Sequence, residues 1–312
     1  MRTSSRGPAP RAALILLCAA SLLATASSAR AASWVSFPTS WDVGQAFAVA
    51  IESDTAYLEP TVTWMGRTIA LDVEHGREGH VSYALLGSFV RDTATGEQPI
   101  VFEFTQGPQR FQVKGKIEIR PREYPKERLK VAPRMVAPSK KDQPRIKEER
   151  QLVGRALRTM TPQRRWTTPP QPPLTVMTLT SRYGFQRIYN GTPRSPHGGA
   201  DLRAKEGTAV RAPFAGTVIL TGFHYYAGGS VYIDSGNGVI TAFFHLSRID
   251  VEEGQRVAKG QVVARSGSTG RVTGPHLHYG LCLAGQFVDP MPLLETSVTE
   301  LLKLAERAKV AD

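Results

Sequence analysis

Alternation of apolar and polar positions organises the first third of the chain. Phe111, Val113, Ile117 and Ile119 alternate with Gln112, Lys114, Lys116 and Glu118. A period of two marks a strand with one face buried. Thr61-Val-Thr-Trp-Met65 and Ile100-Val-Phe-Glu-Phe104 read as further strands, set apart by turns containing Gly, Asp and Pro. Residues 32–120 are therefore expected to form a β-sandwich of immunoglobulin-like type. Over 121–173 the pattern changes. This stretch is rich in Pro, Lys and Arg, and Ile146, Val153, Leu157 and Met160 recur at helical spacing, with Ser139 available as a cap. It reads as a stiff proline linker carrying one basic helix with a solvated face.

Strands return over 174–295. Ala209–Leu220 holds two short ones. Ser230–Asp234 and Val239–Phe244 flank Ser235-Gly-Asn-Gly238, a strong hairpin turn signal. Val257–Val263 suggests another pair around Lys259-Gly260. Leu294, Val298, Leu301, Leu302 and Ala305 recur at helical spacing, so 296–312 is expected to be a terminal helix. The fold class is thus mainly β: a sandwich, a basic helical linker, an antiparallel β domain and a terminal helix.

The chain has 312 residues and a formal net charge of +12. Such a charge raises nucleic acid as a partner. The N-terminus argues against it. Arg2, Arg6 and Arg11 precede an apolar run, Ala12–Ala26, and a small-residue site, Ala29-Arg-Ala31. Residues 1–31 read as a secretory signal, too short for a comfortable membrane span; an uncleaved anchor is the alternative. Removing the signal's four arginines leaves +8, a basic protein outside the cytoplasm, suited to an anionic cell-envelope polymer. No nucleic-acid partner and no span after signal removal are expected, and a monomer is.

Of two cysteines, Cys18 lies in the signal and Cys282 in an apolar strand-like run, where it reads as a buried inert thiol. Of seven histidines, His75 and His80 fall in a polar, Gly-rich stretch that reads as a solvated loop. The other five lie in the C-terminal part. His276 and His278, spaced i, i+2 on a predicted strand, point to one face. His197 and Asp201 flank Gly198-Gly199, with His197 in a loop and Asp201 at a strand start. His245 follows Phe243 and Phe244.

Neutral imidazoles with one carboxylate suit zinc, which in catalytic sites takes three protein ligands and one open position. A structural site would need a fourth ligand, and Cys282 lies four strand residues beyond His278, roughly 13 Å along an extended chain. Asp234 reads as a turn residue, and His224 reads equally as a rim of the groove or as a histidine exposed in a turn.

The segment 181–294 resembles the lysostaphin/LytM-type zinc endopeptidases. The resemblance rests on His197/Asp201, Tyr232-Ile-Asp-Ser-Gly-Asn-Gly238, Phe244-His-Leu-Ser247, Glu253-Gly-Gln-Arg-Val257, Lys259-Gly-Gln261, Ser266-Gly-Ser-Thr-Gly270 and Thr273-Gly-Pro-His-Leu-His278, in that order. It implies one Zn2+ held by His197, Asp201 and His278, with His245 and His276 as the catalytic pair beside it. It implies an exported hydrolase, periplasmic or otherwise in the cell envelope, that cuts peptide crosslinks or stem peptides of peptidoglycan. All five positions are intact, whereas some members have lost ligands and act as non-catalytic activators of other wall hydrolases. Such an activator and a peptidase for Gly-rich proteins are the competing readings. The resemblance also points to a transition-state tyrosine upstream of the first histidine. Tyr189 stands eight residues before His197 and is not placed in the catalytic set. The sandwich and basic helix are candidates for covering the groove.

Overall fold

The computed structural model describes residues 32–76, 79–91 and 93–310. The signal reading at 1–31 lies outside them. No helix among the described residues is long and apolar enough to cross a membrane.

Two five-stranded sheets share the first core. One contains Ser33–Phe37, Ala46–Ser53 and Gly79–Gly87. The other contains Leu58–Trp64, Gly96–Gln106 and Gln109–Arg120. Phe47, Val49 and Ile51 from the first sheet meet Trp64, Phe102, Phe104, Ile117 and Ile119 from the second. The predicted alternation of 111–119 appears as Ile117 and Ile119 buried between exposed polar neighbours.

Strand Ala46–Ser53 is buried on both faces. Its large side chains fill the sandwich. Its small ones, Ala46 and Ala48, pack with Trp166, Phe214, Val239, Leu281 and Val288 of the C-terminal half. Small residues on the second face let another element approach closely, so the sandwich docks on its neighbour through an apolar layer.

The linker departs from expectation. Its helix spans Gln143–Ala156 and is not a free bridge: Ala156, with Val153 and Leu157, packs against Leu220, Tyr232, Ile240, Ala242 and Cys282. Ser139 does not cap it. Its Oγ donates to Asp142 Oδ2 at 2.8 Å, Asp142 is the N-terminal flanking residue, and Met160 lies beyond the helix end. A strand the pattern did not announce, Lys126–Leu129, pairs in parallel with Gln186–Tyr189.

The C-terminal half is built on an antiparallel sheet. Its strands run in the order Leu179–Ser181, Ala200–Arg203, His276–Leu283, Val239–Ile249, Gly228–Asp234, Gly216–His224, Arg256–Val257. The hairpin at 235–238 forms, with Gly236 and Gly238 at positive φ. Arg256–Val257 and Val262–Ser266 are both strands but do not pair with each other. The first joins Gly216–His224, and the second joins Ala209–Arg211 and Val239–Ile249.

The expected terminal helix is a correction. It is limited to Val298–Leu302, opened by a reciprocal Ser297/Glu300 cap. Glu306–Lys309 is then a strand on the edge of Ser33–Phe37. The free backbone groups of that edge outcompete helical continuation. His75 and His80 are corrected too: they are cross-strand partners in a hairpin, with ring centroids 4.7 Å apart.

Asn237 ties the pieces together. Its backbone is left-handed (φ 49), and its Nδ2 donates to Ala70 O of the sandwich at 2.8 Å and to Pro162 O of the linker at 2.6 Å. Asn237→Ala would leave two part-buried carbonyls unpaired. We expect a loss of about 1–3 kcal/mol, read by urea unfolding; unchanged stability would mean that water replaces both bonds.

Candidate active site

Three adjacent strands set the site. Antiparallel register puts Asp201 directly opposite His278, and His278 opposite Phe244. Cross-strand neighbours lie close enough for direct side-chain contact. Their ligating atoms meet: His278 Nδ1 is 2.9 Å from Asp201 Oδ1. His197 arrives from the preceding loop, its Nε2 2.9 Å from Asp201 Oδ1 and 3.0 Å from His278 Nδ1. The chain comes very close here, because a Cβ at Gly199 would stand 2.4 Å from Tyr279 O and 2.7 Å from His278 Nε2.

The chemistry of this triangle follows from its tautomers. A carbonyl can only accept, so His197 Nδ1 must donate to Arg182 O, 2.8 Å away. The neutral ring then shows a bare lone pair at Nε2, facing a carboxylate oxygen and a second imidazole nitrogen. Burial alone would raise the Asp201 carboxyl, yet the imidazoles of His197 and His278 hold it well below its usual range. Burial pushes His278 down to about 4 despite the Asp201 partner. The result is a buried carboxylate beside His278, whose imidazole burial favours as neutral, with the three ligating atoms 2.9–3.0 Å from one another. Zinc sits about 2.0–2.2 Å from nitrogen and oxygen ligands, and the 2.9–3.0 Å edges accommodate such a cation. The residues fit a metal ion.

His245 and His276 stand beside the triangle. Their ring centroids are 4.8 Å apart, and His245 is 6.1 Å from His278. His245 has a left-handed backbone (φ 66) next to a register shift in its strand, which turns it out of the pleat toward the cleft. A β-branched residue would be strained there; histidine tolerates the region better. Its Nδ1 donates to Thr269 O at 2.9 Å, and His276 Nδ1 donates to Gly274 O at 2.8 Å. Both rings therefore show a bare Nε2, that of His276 being 3.7 Å from Asp201 Oδ1. Burial, helped by the neighbouring imidazoles, lowers His245 to about 3 and keeps it neutral. The five predicted residues thus lie together on one wall of a cleft of about 820 Å³.

Other predicted positions fall elsewhere. His224 bonds Ser230 Oγ at 3.2 Å. Asp234 accepts from Gly236 N and Thr161 Oγ1, as a turn residue does. Cys282 is fully buried, its thiol pushed up to about 12 by desolvation, and inert.

Sequence reasoning missed Arg187. Its Nη2 donates to Asp201 Oδ2 at 2.7 Å, leaving Oδ1 for the triangle. Its Nη1 donates to Tyr189 Oη at 3.4 Å. Nε lies 3.0 Å from Glu127 Oε2, as an ion pair whose N–H is not aligned for a hydrogen bond. Ser181 Oγ donates to the same Glu127 oxygen. Arg187 and Tyr189 share a strand face, a signal of the same kind as that of His276 and His278. Glu127 comes from the unannounced linker strand. The linker and sandwich also wall the cleft, through Leu129, Val131, Val153, Leu157 and Phe89.

Outer partners that orient a ligand commonly change metal affinity 10–100-fold. Arg187→Met should weaken zinc binding by roughly that factor, measured by competition with a chromophoric chelator. Unchanged affinity would mean that Asp201 is held in place without it.

With the geometry in hand, likeness to known proteins is informative. The Peptidase family M23 model matches residues 195–290. Peptidoglycan DD-endopeptidase ShyA of Vibrio cholerae serotype O1 is 44% identical over 114 residues, 36% of this chain and 26% of that protein. The chain thus spans about a quarter of the length of the curated relatives it matches first. A solved M23 peptidase candidate from Pseudomonas aeruginosa aligns with a TM-score of 0.58 at 28% identity, over 75% of this chain and 87% of that one. The catalytic domain of lysostaphin from Staphylococcus simulans is 31% identical, with a TM-score of 0.35, over 38% of this chain and 93% of that domain. The matched stretch opens two residues before His197 and closes past His278, so residues 195–290 are a domain of peptidase family M23.

Proposed function

We propose that the chain is an exported zinc metalloendopeptidase that hydrolyses peptide crosslinks or stem peptides of peptidoglycan. One observation carries the reading: a three-atom, lone-pair triangle stands beside two further imidazoles, each with its Nε2 uncommitted, on one wall of a peptide-sized cleft. Relatives named for peptidoglycan endopeptidase activity give the substrate class. The polymer lies outside the cytoplasm, in keeping with the signal reading of 1–31 and with a periplasmic or other cell-envelope location. We take the chain to act as a monomer.

His197, Asp201 and His278 would hold one Zn2+. A bound zinc ion acts as a Lewis acid and brings the pKa of water on it toward about 7. The chain's own groups supply the proton chemistry. His245 and His276 each spend Nδ1–H on a backbone carbonyl, which fixes the tautomer and leaves Nε2 as the acceptor. Burial keeps His245 in the form that can accept a proton at neutral pH. One imidazole can take the proton of the attacking water and return it to the leaving amine. The other, once it has taken up a proton from solvent at Nε2, can donate it to the carbonyl oxygen as that oxygen gains charge. Arg187, held by Glu127, keeps the carboxylate of Asp201 from rotating away. The Phe244 ring, stacked on His278 at 4.8 Å with planes 3° apart, excludes water from one side of that ligand.

Two kinds of variant separate these roles. His245→Ala should lower muropeptide release from purified sacculi by about 100-fold or more while retaining about one zinc per chain. Asp201→Ala should lose metal and release together, as should chelation of the native protein. Mass spectrometry of the released fragments, alongside elemental analysis, reads both. A His245→Ala chain that keeps full function in cells would instead favour the non-catalytic activator.

A further inference from the structure

Arg271 is a cation of the cleft that the proposed chemistry does not use. Its guanidinium carbon lies 4.3 Å from the ring centroid of Tyr189 and 4.8 Å from that of Tyr226. All three side chains line the same cleft as His245 and His276. No carboxylate of the described residues is within ion-pair distance of Arg271, and its guanidinium donates no hydrogen bond to them. Arg187, one layer deeper, is the contrast: it is matched by Asp201 and Glu127. Among the described residues those two are the only acidic ones lining the cleft, against Arg150, Arg187, Arg203 and Arg271. This described lining is therefore positive, and both of its carboxylates are already engaged.

The residue is also held in place. Arg271 N donates to Tyr226 O at 2.8 Å. Gly270 (φ 78) brings the loop so close that a Cβ there would lie 2.4 Å from Gly228 N. Ala227, next to Tyr226, accepts the backbone N–H of His245 at 2.8 Å. Tyr189 is buried and receives Arg187. The cation is thus fixed by the same backbone segment that fixes His245. Two aromatic faces lie against it and stabilise it, while its guanidinium N–H groups have no hydrogen-bond partner among the described residues and are left for a ligand. Burial lowers its proton affinity, the mark of a charge without a counterion. A planar fork of donors without an acceptor matches a carboxylate, which it can take bidentately.

We propose that Arg271, packed against the rings of Tyr189 and Tyr226, is a carboxylate subsite of the cleft that binds a free carboxylate of the peptide substrate at a position separate from the scissile amide. The substrate class rests on the peptidoglycan reading above. On this account the enzyme selects stem peptides whose carboxylates are free over the same peptides with those groups amidated.

The test uses crosslinked muropeptide dimers in two forms, native and chemically amidated at their carboxylates. Binding is measured by calorimetry to the full chain carrying His245→Ala, so no turnover is needed. The chain with Arg271 should bind the native dimer about tenfold or more tighter than the amidated one, the scale of a hydrogen bond between charged groups. With Arg271→Gln added, that preference should collapse to within about twofold, with the loss falling on the native dimer. Arg271→Lys should recover part of it. Equal affinity for the two dimers with Arg271 present would overturn the proposal, whether or not the glutamine variant folds. So would a preference that survives Arg271→Gln, or an equal weakening of both dimers. If the native enzyme releases nothing from sacculi while the preference holds, the hydrolase reading fails and the subsite stands.

Discussion

Asp201 and His278 face each other across one pair of antiparallel strands, and the rest of the site depends on their ligating atoms being held 2.9 Å apart. The register is not free to slip. One residue of shift would move Leu202 or Leu277, both fully buried, to the cleft face and turn the polar pair into the core. The apolar core that packs Leu202, Leu277 and Tyr279 is thus also what aims the atoms of the candidate metal site. His197 completes the triangle because the glycines before Asp201 let the chain approach the His278 strand without side-chain clash. The unfavourable contact of three lone pairs is stabilised when a cation fills it, so a folded sheet supplies the affinity of the site.

The same constraint explains why the linker is more than a spacer. Asp201 presents one oxygen to the triangle only because Arg187 takes the other, and Arg187 in turn needs a counterion. Glu127 supplies it from a strand that pairs beside Gln186–Tyr189. A buried ion network of this kind contributes little net stability against an apolar alternative, but it fixes direction. The sandwich adds to the enclosure through its alanine face and through Phe89, whose N–H donates to Gln286 Oε1 at 3.0 Å.

Much of this was legible because it is local. The alternation at 111–119, the Ser-Gly-Asn-Gly turn and the i, i+2 spacing of His276 and His278 each encode their geometry within a few residues. His197, Asp201 and His245 became interpretable together, once their surroundings resembled a known family. What escaped reading has no local signature. Glu306-Arg-Ala-Lys309 is exposed throughout and joins its sheet by backbone pairing together with Arg307, which lies over the Trp34 ring and pairs with Glu52, so no apolar pattern marks it. The Glu127–Arg187 pair joins distant segments, and charged residues in a basic linker look solvated until their partner is seen. The helix at 143–156 showed its apolar stripe, but a stripe does not say what it will cover. Ala46 and Ala48 did carry a hint: small residues alternating with large ones in a strand buried on both faces.

The most direct measurement is a high-resolution crystal structure of the full chain, with anomalous diffraction at the zinc edge. The account predicts a single peak about 2.0–2.2 Å from His197 Nε2, Asp201 Oδ1 and His278 Nδ1, with His245 and His276 unligated and their Nε2 atoms turned toward the open side. A peak ligated by His245 or His276, or one closed by a fourth protein ligand, would contradict the division of this site into three metal ligands and two proton-transfer groups.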